Sequence, residues 1–465
     1  MEITSSYKVE IKSCLDLRAV QDTVLIYRKA LDFIIDVCNK EWDNISACGD
    51  KNKKNNYVEK LIHKTEKNDA PAYPFDAEKS PFYKFPSYLR RAIVSYAIGC
   101  VSTYKKAHKK WNTKLDKEGN HIGKEPTLQY DRNVMPTFYK GNMYMETEPR
   151  DFKRTQGYKD RKIYTRWLKL YKDKDWVWVA VQLKKTDIDY IIKYWSACEK
   201  QNVPTLEKHH KKYFLRFSFT ENVDLNETPV MEQKICSIDI GHNTDAVCSI
   251  MKSDGTVLKR KFVDFPSEKD LIHRLLNRIN KKQSNKQRVT GLWQYTKFLN
   301  DEHAKDIARC VVDFAAKNHV NVIVMERLNF KGKKYGDKAQ ILSMWNYGKI
   351  QAYIEHRAHR NGIRISRICA RNTSQLAFDG SSKLVRDKHN MALATFSTGK
   401  QYNCDLNASY NIGARYFIRE IPKSLPETTG CSLKAKVPMM NRRTSCTLST
   451  LWQVNDVLSI ITSAI

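Results

Sequence analysis

The sequence contains no run of about 18 apolar residues, which excludes a helix that crosses a membrane. Its opening residues, Met1-Glu2-Ile3-Thr4-Ser5, lack the basic stretch and apolar segment of a secretory leader, so a cytoplasmic protein is expected. None of the 12 cysteines forms a C-x-x-C pair, which leaves no visible zinc ribbon or thioredoxin motif. Several lie in apolar runs, as Cys236 does in Ile235-Cys236-Ser237-Ile238, and read as reduced core thiols. Acids are scarce too: Asp+Glu 51 against Lys+Arg 81 leaves a formal charge of +30. Such a surplus repels itself unless an anionic partner absorbs it, and nucleic acid is the commonest one. With 41% hydrophobic and 11% aromatic residues the chain is not a disordered tail. Its 465 residues suffice for roughly two to four domains.

The spacing of apolar residues predicts a strand over the first fifteen residues, with Ile3, Tyr7, Val9 and Ile11 alternating. A helix follows, carrying Val20, Val24, Leu31, Ile34, Ile35 and Cys38 on one face. The polar, Lys-rich stretch 51–70 is expected to be a loop. Pro86-Ser87 then opens a second long helix, which ends in the basic run Lys105, Lys106, Lys109, Lys110. Charged runs of this kind are usually solvated faces, but they also suit a phosphate backbone. From Thr127 to Phe219 strands are expected, notably Trp176–Val181 and the alternating Tyr213, Leu215, Phe217, Phe219. This predicts a β-domain that includes the opening strand and into which the first helices are inserted.

After a polar linker, 221–232, the pattern becomes a three-strand meander, two helices, a strand, a helix and a strand. The strands are Ile235–Ile240, Ala246–Met251, Val257–Val263, Asn321–Met325 and Ile363–Cys369; the helices are 271–288, the stretch around Ala304–Ala315, and 346–360. Three carboxylates stand at ends of these elements: Asp239, Glu326 and Asp405. An ionised acid inside an apolar strand is costly unless it is paired or binds a metal. Singly, each also fits a salt-bridged core position or, for Asp405, a helix N-cap. Together, carboxylates converging from separate strands would cage hard divalent cations such as Mg²⁺, and a pair of ions can activate water against a phosphodiester. The element order fits a ribonuclease-H-like fold.

Ser237-Ile238-Asp239-Ile240-Gly241, Ile323-Val324-Met325-Glu326-Arg327-Leu328 and Asp405-Leu406-Asn407-Ala408-Ser409-Tyr410-Asn411-Ile412 resemble the three split RuvC nuclease motifs of TnpB-like proteins and compact type V CRISPR effectors. Trp345, the helix to Arg360 and Asn372-Thr373-Ser374-Gln375 also resemble that family. The detailed likeness spans about 235–420; the front half agrees only in architecture. The resemblance implies an α+β multidomain protein: a β-barrel-like wedge domain (1–15 and 120–230), an inserted helical recognition domain (16–119), a split RNase H-like RuvC α/β nuclease domain (231–370 and 405–465), and a target-loading segment (371–404). It implies an RNA-guided, Mg²⁺-dependent DNA endonuclease, with two ions per site on Asp239, Glu326 and Asp405. Guide RNA and double-stranded target DNA are the implied partners, the protein itself reading a short flanking motif. A bacterial, nucleoid-associated and transposon- or CRISPR-linked setting follows by the same likeness. Arg274, Arg278, Lys281 and Lys282 lie in a segment that resembles the bridging helix and are expected to meet the nucleic-acid backbone. The alternatives are a nuclease-inactive RNA-guided repressor and a guide-free nuclease or resolvase.

One feature departs from the family. TnpB-like proteins usually carry two zinc-binding C-x-x-C pairs after Thr-Ser; those positions here are Ala377, Gly380, Thr395 and Thr398. None can ligate zinc, so no zinc is expected, and Cys404 reads as a packing residue.

Overall fold

The computed structural model describes residues 1–463 apart from 67, 117, 155–163, 197, 199, 210, 242, 329–343, 345 and 388. The chain divides into two compact units, Glu2–Glu221 and Asn222–Ile465 with Met1. Among the described residues no helix is long and apolar enough to cross a membrane. All 12 cysteines are free, and Cys236 and Cys248 are buried core residues.

The first unit begins with strand β1 (Glu2–Cys14), followed by helices α1 (Leu17–Lys40), α2 (Trp42–Ala47), α3 (Lys51–Ile62) and α4 (Ser87–Asn112). Strands β2 (Tyr144–Met145), β3 (Thr165–Lys172), β4 (Asp175–Leu183), β5 (Lys200–Gln201), β6 (Thr205–His209) and β7 (Lys212–Asn222) complete it, with a short helix α5 (Lys185–Ile191) between β4 and β5. The sheet order is β2-β3-β4-β1-β7-β5, with β6 also pairing β7, so the opening strand sits inside the sheet. Alternation along β7 buries Tyr213, Leu215, Phe217 and Phe219, as the period of two requires. Helices and sheet share one hydrophobic core.

Two segments differ from the sequence expectation. Of the stretch 51–70, residues 51–62 form a helix rather than a loop, because Asp50 caps α3 by accepting from the Lys53 N–H at 2.8 Å, while the described residues after it are irregular as expected. Val58 and Ile62 are fully buried, and the buried Arg90 of α4 pairs with Glu59 at 3.0 Å and with Asp76 at 3.3 Å. Tertiary pairing thus overrides a polar composition that carries little periodicity. Likewise α5 interrupts a region read as strands, its Ile188 and Ile191 anchoring it in the core.

The second unit is built on a five-stranded sheet of β8 (Lys234–Asp239), β9 (Ala246–Lys252), β10 (Val257–Val263), β11 (Val322–Arg327) and β12 (Arg364–Cys369). Its order is β10-β9-β8-β11-β12; the first three strands form an antiparallel meander, while β11 runs parallel to β8 and β12 parallel to β11. Helices α6 (Pro266–Ser284) and α7 (Thr290–Lys317) fall between β10 and β11, and α8 (Tyr347–Arg360) between β11 and β12. This strand order and direction is the ribonuclease-H-like arrangement that the sequence predicted. A small antiparallel sheet, β13 (Val385–Arg386), β14 (Leu393–Thr395) and β15 (Gln401–Asn403), leads into helix α9 (Cys404–Ser424). Helices α10 (Glu427–Lys436) and α11 (Leu448–Ser463) close the unit.

The pleat divides the large sheet between two cores. Cys236, Ile238, Ile323 and Met325 pack with Ile307, Val311 and Ile354 of α7 and α8. Ile235, Val322 and Val324 point the other way, packing with Ile412, Phe417 and Leu451 of α9 and α11. The chemistry expected of the chain lies on this second face.

Candidate active site

Alternation decides where the strand acids point. Asp239 closes β8 two residues beyond Ser237 and four beyond Ile235, and so faces α9; Glu326 follows Val322 and Val324 onto the same face. The parallel register pairs Met325 with Ile238, so one further step brings Glu326 beside Asp239. Asp405 belongs to the first turn of α9, the helix that covers this face. The structure therefore brings all three sequence-named acids to one end of the parallel strands.

Close approach of α9 makes this possible. Ser409 and Gly413 lie four and eight residues beyond Asp405, on one helical stripe. The Ser409 hydroxyl meets that of Ser249 at 2.6 Å, and Ser237 donates to the Ser249 carbonyl at 3.2 Å. A Cβ on Gly413 would stand 3.1 Å from both the Ser237 hydroxyl and the Met251 sulfur. Gly241 serves the turn after β8, since a Cβ there would lie 2.6 Å from the Thr244 carbonyl. That turn lets the Thr244 side chain hydrogen-bond Asp405. Asp405 is not the helix cap: Asn403 is, accepting from the Leu406 N–H at 2.9 Å.

Burial, then the fields of Glu326 and Asp405, hold the Asp239 carboxyl well above the usual carboxylate range, with Arg386 opposing. Burial raises Glu326 as well, against a hydrogen bond from Thr373 and the nearby Arg415. Asp405 is raised by burial, with Arg386 and Thr244 opposing. Among the described residues the Asp239 carboxylate has neither an ion pair nor a hydrogen bond. Three acids whose burial outweighs their partners, with oxygen donors only, are the donor set that a hard dication suits. As placed, they share one electric field without closing into a coordination shell: among the described residues no group of three or more His, Cys, Asp or Glu could hold a metal ion.

Three supporting residues were not named as site residues from the sequence. Thr373 was visible only as part of Thr-Ser-Gln; Arg386 sits on β13 and Thr244 in a turn. Their contacts with the acids span 47, 19 and 161 positions as the numbering runs, in the case of Thr373 to Glu326, Arg386 to Asp405 and Thr244 to Asp405. A second stripe on α9 holds this shell in place. Asn411 donates to the carbonyls of Thr373 at 3.0 Å and Leu376 at 2.9 Å, and Asn407 donates to Leu376 at 2.8 Å.

Ala377 and Thr395, two of the positions where the family pattern has zinc-binding cysteines, adjoin Phe378 and Phe396 of an aromatic cluster. Phe378 meets Phe396, Tyr402 and Tyr410 edge-on at 5.5, 5.2 and 5.4 Å, and Lys400 stands over Phe378 at 5.1 Å. Ala377 and Cys404 are buried as packing residues. Trp345, named on the motif likeness, lies outside the described residues.

The expected nucleic-acid contacts lie on two helices, one in each unit. Arg274, Arg278 and Lys281 are exposed on α6 and Lys282 is half-buried; on α4 of the first unit Lys106, Lys109 and Lys110 are exposed and Lys105 is half-buried. None of the eight forms an ion pair among the described residues, so their charge is left to solvent or to a ligand.

Comparison with known proteins bears on both units. A family model described as Cas12f1-like, TNB domain matches residues 347–412, the stretch that joins the second motif to the third. It upholds the resemblance to compact type V CRISPR effectors drawn from the motifs. Solved structures similar to the chain include the Cas12f1–sgRNA–target DNA complex (16% identity, 88% of this chain and 98% of that one, TM-score 0.32). The mini-RNA-guided endonuclease CRISPR-Cas_phi3 is another (11%, 89% and 92%, 0.47), as is Thermus thermophilus RuvC (10%, 40% and 96%, 0.23). A family model described as the Aq_aa04 family matches residues 5–172. The protein aq_aa04 of Aquifex aeolicus (strain VF5) is 31% identical over 140 residues, which is 28% of this chain and 72% of that protein. With that identity over that share of its relative, the chain belongs to the Aq_aa04 family.

Proposed function

We propose that this chain is an RNA-guided DNA endonuclease that hydrolyses phosphodiester bonds of target DNA beside a short flanking motif. The observation that carries the reading is the meeting of Asp239, Glu326 and Asp405 on the α9 face of a ribonuclease-H-like sheet, each with its carboxyl held above the usual range. Asp239, Glu326 and Asp405 would hold Mg²⁺, as two ions in the family's manner. When bound, these ions supply an activated water and charge stabilisation on the leaving oxygen. The chain's own part is rigidity: two acids on adjacent parallel strands, a third on a helix pinned by Ser409 and Gly413, and Thr373 orienting Glu326.

In this reading the sheet of the first unit with β1 acts as the wedge (1–15, 120–230) and the helices of 16–119 as the recognition module. Residues 231–370 and 405–465 form the nuclease, and 371–404 loads the target strand. Guide RNA and DNA engage Arg274, Arg278, Lys281 and Lys282 on α6, and Lys105, Lys106, Lys109 and Lys110 on α4.

The test combines sequencing of RNA that copurifies with the protein and cleavage by the resulting complex. Asp239→Ala, Glu326→Ala and Asp405→Ala should each abolish cutting in Mg²⁺ while leaving target binding nearly intact. Wild-type cutting by any one of them would remove that residue from the site. Cutting that ignores the sequence of the bound RNA would favour a guide-free nuclease.

A further inference from the structure

A cavity of about 550 Å³ opens between the end of β12 and the C-terminal half of α9, closed on its far side by residues after α10. Seven of its fifteen lining residues are Arg or Lys, and none is Asp or Glu. Glu355 and Glu420, outside the lining, answer Arg367, Arg419 and Lys423, which leaves Arg327, Arg415, Lys434 and Arg443 as charge that an anion could answer.

The cations are held in different ways. Arg415 is buried, and its guanidinium is bound only by main-chain carbonyls: Cys369 at 2.9 Å, Arg371 at 2.8 Å, Cys446 at 3.0 Å and Thr444 at 3.1 Å. The carbonyls fix its geometry without cancelling its charge. Arg419 is held by the Ser366 hydroxyl at 2.6 Å and the Arg367 carbonyl at 2.9 Å as well as by Glu420. Arg367 is answered by Glu355 at 2.7 Å. Arg327, Lys434 and Arg443 have no acid partner among the described residues.

Most of the remaining lining is apolar, with Ile368, Ile418, Pro422 and Met440, and Asn441 adds one polar side chain. The space is far larger than a lone phosphate or sulfate ion needs. Fixed cations beside an apolar wall match a ligand that is anionic at one end and flat and apolar at the other. Arg415, a lining residue, is also the cation near Glu326, so the cavity borders the face that carries the acids.

We propose that this cavity is a nucleotide subsite, its arginines holding phosphate and its apolar wall receiving sugar and base. Assigning the nucleotide to the strand that reaches the acids rests on the nuclease reading; the subsite's chemistry does not. A free nucleotide has the same chemistry and is separated from the strand by experiment.

Cys369 lines the cavity with an exposed thiol, and Cys431 is an exposed thiol outside the lining. In full-length, metal-free protein, alkylation at each is followed by peptide mass spectrometry. The probes are a single-stranded oligothymidylate, the 5′-phosphorylated thymidine dinucleotide and inorganic phosphate. With probe at ten times its Kd, labelling of Cys369 should slow about tenfold by mass action, and Cys431 should be unaffected. Lys434→Gln with Arg443→Gln should weaken that protection about tenfold, because two charge-assisted contacts are lost. Protection by the oligonucleotide at lower concentration than the dinucleotide assigns the strand; the reverse order assigns a free nucleotide. Absence of protection, equal protection by inorganic phosphate, or full protection in the double variant overturns the subsite. Cleavage is scored separately on wild type: protection without any cleavage leaves the subsite standing and sinks the nuclease reading.

Discussion

Asp239 makes the native fold pay for its position whenever it ionises. Burial and two neighbouring acids hold its folded pKa above the unfolded value near 3.9. The sign follows by linkage: stability falls as pH rises through the folded pKa, by at most about 1.4 kcal/mol per pH unit, and is recovered as pH falls toward about 4. Asp239→Asn cannot ionise and escapes this loss. Metal-free D239N should therefore melt above wild type at pH 8, with the gap closing toward pH 4. A constant gap in a pH series of thermal melts would show that the carboxylate is compensated by something else. Thr373 acts in the opposite direction on Glu326, since its hydroxyl favours the ionised form. Thr373→Val keeps the shape and removes that donor, so Glu326 should ionise at higher pH. The acid limb of the pH–rate profile for cleavage should move upward, with a loss of about tenfold near neutrality. An unmoved limb would make Thr373 a loop anchor only.

Helix α9 illustrates what could and could not be read ahead of the structure. Its stripe of Asp405, Ser409 and Gly413 follows from helical spacing, and the alternation of Ile235, Ser237 and Asp239 follows from the pleat. The five strands were legible from periodicity, and the three acids from their places at element ends and from the motifs they resemble, whereas the stripe on α9 is seen only in the structure. Arg386, Thr244 and the shell around Asn411 were not legible, because their partners lie far away in sequence and no local pattern encodes them. Helix α3 escaped for a related reason: its evidence is the distant Arg90, not its own Lys- and Asn-rich composition. The stripe also yields a test. Gly413→Ala adds a methyl 3.1 Å from the Ser237 hydroxyl and the Met251 sulfur, both fixed in a tightly packed seam, so the seam between α9 and the sheet must give by a few tenths of an ångström. Overpacking of this kind costs about 1–3 kcal/mol. The variant should lose stability by that amount in urea melts, and its cleavage should fall further than stability alone explains, because Asp405 moves with the helix. Cleavage at the wild-type rate in well-folded G413A would show that this close approach does not set the position of Asp405.

The charge of +30 belongs to no single contact, and under the guided reading proposed above it creates a problem of specificity. A protein this basic attracts any duplex, since each phosphate it neutralises releases a condensed counterion. That attraction carries no sequence information and falls steeply with salt. Pairing to a guide carries all the information, depends on match, and is most sensitive beside the flanking motif. The two contributions should therefore separate when ionic strength is raised. From about 50 to 200 mM salt, binding of RNA-free protein to random duplex should drop by about 10³-fold or more if six or more phosphates are contacted. Cutting of a matched target by the RNA-loaded protein should persist over the same range. Mismatches next to the motif should reduce it more than distal ones. Should matched and random duplexes instead lose cutting in parallel as salt rises, charge alone would govern the protein's choice of substrate, and the guided reading would fail.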